Sequence, residues 1–291
     1  ISALNGGKID LPNVTEVTSG AVLFTADGTN SLINLTLLET FSGNLFTTAS
    51  GFRALNDGSI LTPALTSITR GEITADNPAS IDLSLITTFA GDGKITLTGG
   101  IHDLTSLTTM NGSLYVSGSD VPVMTMLSDI NGASIYVSGG AVLNLPLVTN
   151  YLQDDNNRNY LRSEDAGSEL NLPNLTDITS GTSTTRALYF EAWNGGEINL
   201  PAVDFISNPG NNAVYLQFSA DGAGARIDLS SITSIDPNDA QFFEVNDGVI
   251  FTPGLDSSSL PDLEVLSLTS SLTNIVPGSV VSLTWTVQNS G

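Results

Sequence analysis

Short alternations of apolar and polar residues run through this chain, and they return in nearly the same wording. A nine-residue phrase reads Ile, Asp or Asn, Leu, Pro, any residue, Leu or Val, Thr, any residue, then Ile, Val or Phe, as in IDLPNVTEV from Ile9 to Val17. Aligned on the sixth position, its copies fall at Val14, Leu38, Leu65, Ile86, Leu104, Met124, Val148, Leu175, Val203, Ile232 and Leu255. The mean spacing of about 24 residues is that of one solenoid turn, too small to bury its own apolar face and obliged to stack on its neighbours.

The columns of this alignment predict which way each side chain points. The first and third columns are mostly Ile and Leu, while the second is Asp or Asn in eight of eleven copies, the alternation of a half-buried strand. Pro holds the fourth column at 12, 63, 122, 146, 173, 201 and 253. Because Pro cannot donate to a strand ladder, this column predicts a corner between strands. A second strand precedes the phrase and closes on Asn or Asp before Gly, as in ALYFEAWNGG, a pair that supplies the positive φ of a tight turn.

The spacing varies because the segment after the ninth column changes length, with extra residues around 150 to 159, 179 to 187, 207 to 213 and 236 to 240. All of these are expected on one edge. The reading is therefore all-β: a right-handed parallel β-helix of about 11 coils over 1–256, a linker at 257–260, and a different text over 261–291. Stacked at about 4.8 Å, the coils make a rod on the order of 50 Å long.

Composition narrows the partners. The 291 residues carry 30 acidic and 8 basic side chains, a net charge of −22, one His and no Cys, which excludes disulfides and thiolate metal sites. Clustered cations for nucleic acid or an anionic membrane surface are lacking. No apolar run of about 18 residues occurs, so no membrane insertion is expected. The opening ISALNGGKIDLP matches FEAWNGGEINLP at 190–201, so the chain reads as a piece of a longer secreted, extracellular or cell-surface protein. An unpaired terminal coil would invite end-to-end self-association, and hence a fibre.

The coil text resembles the right-handed parallel β-helices of bacterial extracellular proteins. In the centre, LTSLTTMNGSLYVSGSDVPVMTMLSDINGASIYVSGG is similar to the repeats of receptor L domains. Pro261-Asp262-Leu263, Pro277-Gly278 and Trp285-Thr286-Val287 with Asn289 and Gly291 resemble the opening of a CARDB domain. That resemblance implies the first strands of an incomplete Ig-like β-sandwich and a role in bacterial cell adhesion.

Candidate chemistry is sparse. Resemblance to polygalacturonases would require paired Asp beside Gly-His-Gly and Arg-Ile-Lys, whereas the single His stands in GIHDL and the nearest basic phrase is ARIDL around Arg226. His102 falls in the column otherwise held by Pro, Ser and Thr and is expected at a solvent-facing corner. A lyase needs Arg or Lys among carboxylates to take a proton, and only Asp154, Asp155 and Arg158 form such a group. A polar loop explains them more simply.

The outward column of Asp10, Asn34, Asp82, Asp120, Asn144, Asn171, Asn199 and Asp228 raises a calcium ladder. Stacked carboxylates about 5 Å apart repel by roughly 0.8 kcal/mol in water. No two Asp are adjacent in this frame, so no cofactor is expected, with structural calcium as the alternative. The Thr of the seventh column reads as hydroxyl stacking and strand propensity rather than ice binding.

These observations give a non-enzymatic structural or adhesive module as the expectation, with a carbohydrate-binding or polysaccharide-degrading β-helix as the rival. The rival places its site on the insertion edge, at Asp154, Asp155, Arg158, Tyr160 and Trp193, with Tyr151, Tyr189 and Tyr215 nearby. Its ligand would be a cell-surface glycan, neutral or bridged by calcium, because the chain itself is strongly negative. A surface protein is the other expected partner.

Overall fold

Each repeat folds into three short strands separated by two tight corners and one variable loop. In the computed structural model, described for residues 1–44, 50–76, 79–99, 102–118, 122–183, 185–209, 215–235 and 239–255 and for the backbone of Leu263–Ser270 and Leu283–Asn289, these strands stack in parallel. The result is a parallel β-solenoid of about ten turns, and among the described residues no helix is long and apolar enough to cross a membrane.

One face is a continuous sheet of eleven strands, from Ser2–Leu4 to Gln241–Val245. The second face is two ladders of four and five strands, and the third is two ladders of five and three. The eleven sequence copies thus close about ten turns. The linker 257–260 lies outside the described residues. Over 261–291 only the two backbone strands are described, an antiparallel pair with Leu268 opposite Trp285.

The inward columns build one continuous core from Ala3 to Leu255. Ile33, Leu35, Leu38 and Phe41, the first, third, sixth and ninth columns of one copy, are all buried. Phenylalanines of successive coils stack inside the long sheet, with Phe190 to Phe218 at 4.7 Å and Phe218 to Phe242 at 5.2 Å between ring centres.

The corner between the second and third faces is secured in two ways. Where the fourth column carries an N–H, the second-column side chain accepts from it: Thr36 N on Asn34 Oδ1 at 3.1 Å, Thr105 N on Asp103 Oδ1 at 3.0 Å and Ser230 N on Asp228 Oδ1 at 2.9 Å. Where Pro146, Pro173 and Pro201 remove that donor, the Asn side chains join one another instead. Asn171 Nδ2 donates to Asn144 Oδ1 at 2.9 Å, and Asn199 Nδ2 to Asn171 Oδ1 at 2.6 Å. The polar column is therefore an internal fastening, consistent with the hydrogen-bonding habits of Asn and Asp at turns.

The other corner needs left-handed backbone. Asn194 and Gly195 have φ of 52° and 90°, and a Cβ on the following Gly196 would run into the carbonyl oxygen of Ser163 on the coil below. This is why an Asn-Gly-Gly text recurs there.

Two copies sit three residues later than the sequence frame puts them. Isolated bridges pair Asp103 with Val123 and Thr109 with Asp129, and Met110 lies opposite Phe89. The sixth column is thus Leu107 and Leu127, not Leu104 and Met124. All four residues are buried, so either frame satisfies the local alternation, and only stacking on neighbours selects one.

The correction moves Pro122 and His102 from the corner into the inward first column, where both are buried. It also makes Asp82 and Asp103 successive occupants of the second column. The hydroxyls of Ser84 and Thr105 each donate to these carboxylates, at 2.7 Å, so their charges are offset locally. Asp120, Gly100 and Ile101 lie outside the described residues.

Candidate functional site

The variable segments all join the third face to the long sheet, on the edge where insertions were expected. Their roots carry buried polar side chains. Gln153 Oε1 accepts from Gly181 N at 2.9 Å, and Ser180 Oγ donates to Asn208 Oδ1 at 2.8 Å, tying three successive loops together.

Asp154 closes its own loop, and Asp155 adds to the fastening between loops. Asp154 Oδ1 accepts from Asn156 N at 3.0 Å, and its Oδ2 accepts from Asn157 Nδ2 at 2.9 Å. Asp155 reaches to the next loop and accepts from Thr182 Oγ1 at 2.7 Å and Ser183 N at 3.2 Å. The Thr182 hydroxyl, followed by the loop N–H groups, holds the Asp155 carboxyl below the usual carboxylate range. Arg158 is exposed and makes no ion pair among the described residues. Two carboxylates occupied in this way are fasteners of the loop edge.

His102 is 8% exposed, and its Nε2–H donates to Gly99 O at 2.8 Å. Burial pulls its pKa below the ordinary value, so the ring is neutral and held in one tautomer. Among the described residues, no three His, Asp or Glu side chains converge as a metal site.

The remaining candidates are elsewhere. Tyr160 and Trp193 lie on the strands Asn159–Glu164 and Leu188–Trp193, at outward positions of the long sheet rather than on the loops. Tyr151 is in the core, its hydroxyl donating to Ala133 O at 2.7 Å. Tyr215 leads into the strand Leu216–Asp221 and is half-buried.

Tyr160 belongs to a row that runs up the solenoid axis. Ring centres are 4.4 Å apart from Tyr115 to Tyr136, 6.0 Å from Tyr136 to Tyr160 and 4.8 Å from Tyr160 to Tyr189. Tyr115 and Tyr136 are direct neighbours across the ladder, as are Tyr160 and Tyr189. The row changes column between them, because Tyr136 stands opposite Arg162.

Arg162 fills that step. Its Nε donates to Glu191 Oε2 at 2.7 Å, and its guanidinium lies 5.7, 5.5 and 3.8 Å from the rings of Tyr136, Tyr160 and Trp193. Lys94 covers the first ring of the row, 4.6 Å from the centre of Tyr115. Burial and the neighbouring phenol raise the pKa of Tyr136, and burial followed by Tyr160 raises that of Tyr189, against the pull of Arg158.

No protein family, characterised protein or solved structure matches this chain. The resemblances to CARDB and receptor L domains draw no support from that comparison.

Sequence reasoning missed Tyr136 and Arg162, which pack against Tyr160, and Tyr115 and Lys94, which extend the row. A signal was present for two of them. In SLYVS and SIYVS each Tyr lies between two inward apolar residues, so strand parity alone turns it outward.

Proposed function

We propose that this chain is a non-catalytic structural and adhesive module of a large bacterial cell-surface or extracellular protein. The observation that carries this reading is the use of Asp154 and Asp155. Of the carboxylates best placed by sequence for chemistry, Asp155 fastens its loop to that of the next coil and Asp154 closes its own loop, whereas a site of catalysis would keep them free for substrate. His102, buried and bonded to its own coil, supports the same reading.

On this reading the solenoid is right-handed, as parallel crossovers nearly always are. Residues 261–291 would open a CARDB-like Ig sandwich, and the rod would act as a spacer, an adhesive surface or a fibre subunit. Among the described residues, the outermost strands of the long sheet, Ser2–Leu4 and Gln241–Val245, pair on one side only. Such edges support stacking of one copy on another.

Negative-stain imaging at two protein concentrations, with calcium and with chelator, tests the assembly. Short rods or filaments of rods agree with the proposal. Release of reducing or unsaturated ends from polygalacturonate, alginate or a neutral glucan would overturn it in favour of a polysaccharide-degrading β-helix.

A further inference from the structure

We propose that the tyrosine row is a site of oxidative cross-linking, where Tyr115 joins Tyr136 and Tyr160 joins Tyr189 as dityrosine. The co-reactant is a one-electron oxidant, such as the oxidised haem of a peroxidase charged with hydrogen peroxide. The inference goes beyond the reading above and stands on the geometry of the row alone.

Register is the first argument. Four of the chain's six tyrosines form one row, and two pairs of them are direct ladder partners on neighbouring strands. Parallel pairing holds equivalent atoms of the two side chains about 4.8 Å apart along the axis. Ring centres are 4.4 Å apart in Tyr115 and Tyr136, with planes 7° from parallel. In Tyr160 and Tyr189 the values are 4.8 Å and 11°. The hydroxyls of each pair share one end of the stack: after burial, Tyr115 adds to the rise of the Tyr136 pKa, and Tyr160 to that of Tyr189. An ortho carbon of each ring therefore lies beside its equivalent on the next coil. All four rings are half-buried on an outward face, so a small oxidant reaches their edges.

The chemistry follows from that placement. Both phenols of a pair give one electron to the oxidant and one proton to water. The resulting neutral phenoxyl radicals carry spin at their ortho carbons, and one carbon–carbon bond forms between the two rings. The hydrogens on those carbons then move as protons to the phenolic oxygens, which restores both aromatic rings. Two electrons and two protons have left the protein, the number that reduces one hydrogen peroxide to two waters. Because the partners are already stacked, coupling is an intramolecular step with most of its ordering done in advance. A ring that has lost an electron is repelled by a cation over it. Lys94, 4.6 Å from the centre of Tyr115, thus favours prompt release of the phenolic proton.

The break in the row limits the product to two links. Tyr136 and Tyr160 are 6.0 Å apart and tilted by 30°, and Tyr136 stands opposite Arg162, whose guanidinium packs between the two columns. Tyr151 is in the core with its ring against Phe190. A chain without Cys has no disulfide to hold its coils, and a dityrosine between coils closes a loop of the unfolded chain as a disulfide does.

The test exposes the full chain, dilute, to a photo-excited ruthenium trisbipyridyl complex with persulfate as electron acceptor. The products are separated by size, and the links are mapped by fragmentation of peptides cut at Arg and at Asp. The monomer should show dityrosine fluorescence and lose two hydrogens in mass per link, with Tyr115 bonded to Tyr136 and Tyr160 to Tyr189. Y115F/Y160F keeps every ring but leaves each pair one phenol, and its monomer should lose the fluorescence. The linked parent should also unfold at a higher urea concentration than the variant treated in the same way. Dityrosine found only in dimers, links at Tyr136 to Tyr160 or at Tyr151 or Tyr215 in equal yield, undiminished fluorescence in the variant monomer, or no gain in urea resistance would each overturn the proposal.

Discussion

The Arg162 guanidinium lies 3.8 Å from the centre of the Trp193 ring on the neighbouring strand, while its Nε holds Glu191. This one side chain reconciles two columns of the outer face. The aromatic row must step sideways between the strands Ser134–Ser138 and Asn159–Glu164, and Arg162 packs into the step against three rings at once.

Replacing Arg162 with Ala should therefore cost more than a surface ion pair does. The guanidinium and the Glu191 carboxylate are only 23% and 13% exposed, and removing one partner leaves the other charge half-buried. We expect a loss of about 2–3 kcal/mol in urea unfolding, from the pair and the cation–aromatic contacts together. E191Q should cost less, and the Trp193 emission should shift in R162A.

Gly196→Ala should be more damaging than its size implies. The added Cβ meets the Ser163 backbone carbonyl, which has no rotamer by which to yield. Overpacking of about 3 kcal/mol or more is expected, seen as a lowered melting temperature or insoluble protein. Gly140→Ala is the control for backbone conformation: unlike Gly196 it has a positive φ, of 81°, and its Cβ would meet only Ala166 O, at 4.0 Å. It should cost about 1 kcal/mol.

Asn171 both donates to Asn144 and accepts from Asn199, so Asn171→Ala removes two links of the ladder. Because the ladder is partly open to water, the expected loss is about 1–2 kcal/mol by urea unfolding.

His102 predicts a pH dependence of defined sign. Burial lowers its pKa in the folded state below 6.5, so the unfolded chain binds the proton more readily. Stability is fully present above that value and declines as pH falls through the window down to the lowered folded pKa. The melting temperature of the parent should drop across this window relative to that of H102Q, and the imidazole resonances should titrate below 6.5. A resonance titrating at or above that value would contradict the buried neutral ring.

By itself the sequence determined the all-β class, the stacking of small repeats into a parallel solenoid, the inward columns, the Pro corner and the edge that collects insertions. These are local properties. The period-2 alternation, the missing N–H of Pro and the turn preference of Asn-Gly act within a few residues and are written in every copy.

The tertiary structure decided what depends on a neighbouring coil. Leu104 and Leu107 are both apolar, and only the pairing of Asp103 with Val123 and of Thr109 with Asp129 chooses the frame that turns His102 inward. Likewise Tyr151 and Tyr160 lie nine residues apart on either side of a loop, one in the core and the other on the outer face. A loop of irregular length erases strand parity, so the fate of the next aromatic is set by the register in which its strand meets the coil below. The alignment of Tyr115, Tyr136, Tyr160 and Tyr189 in one row, with Arg162 in its step, has the same origin. Tyrosines far apart in the chain become one aromatic row only when successive coils are laid side by side.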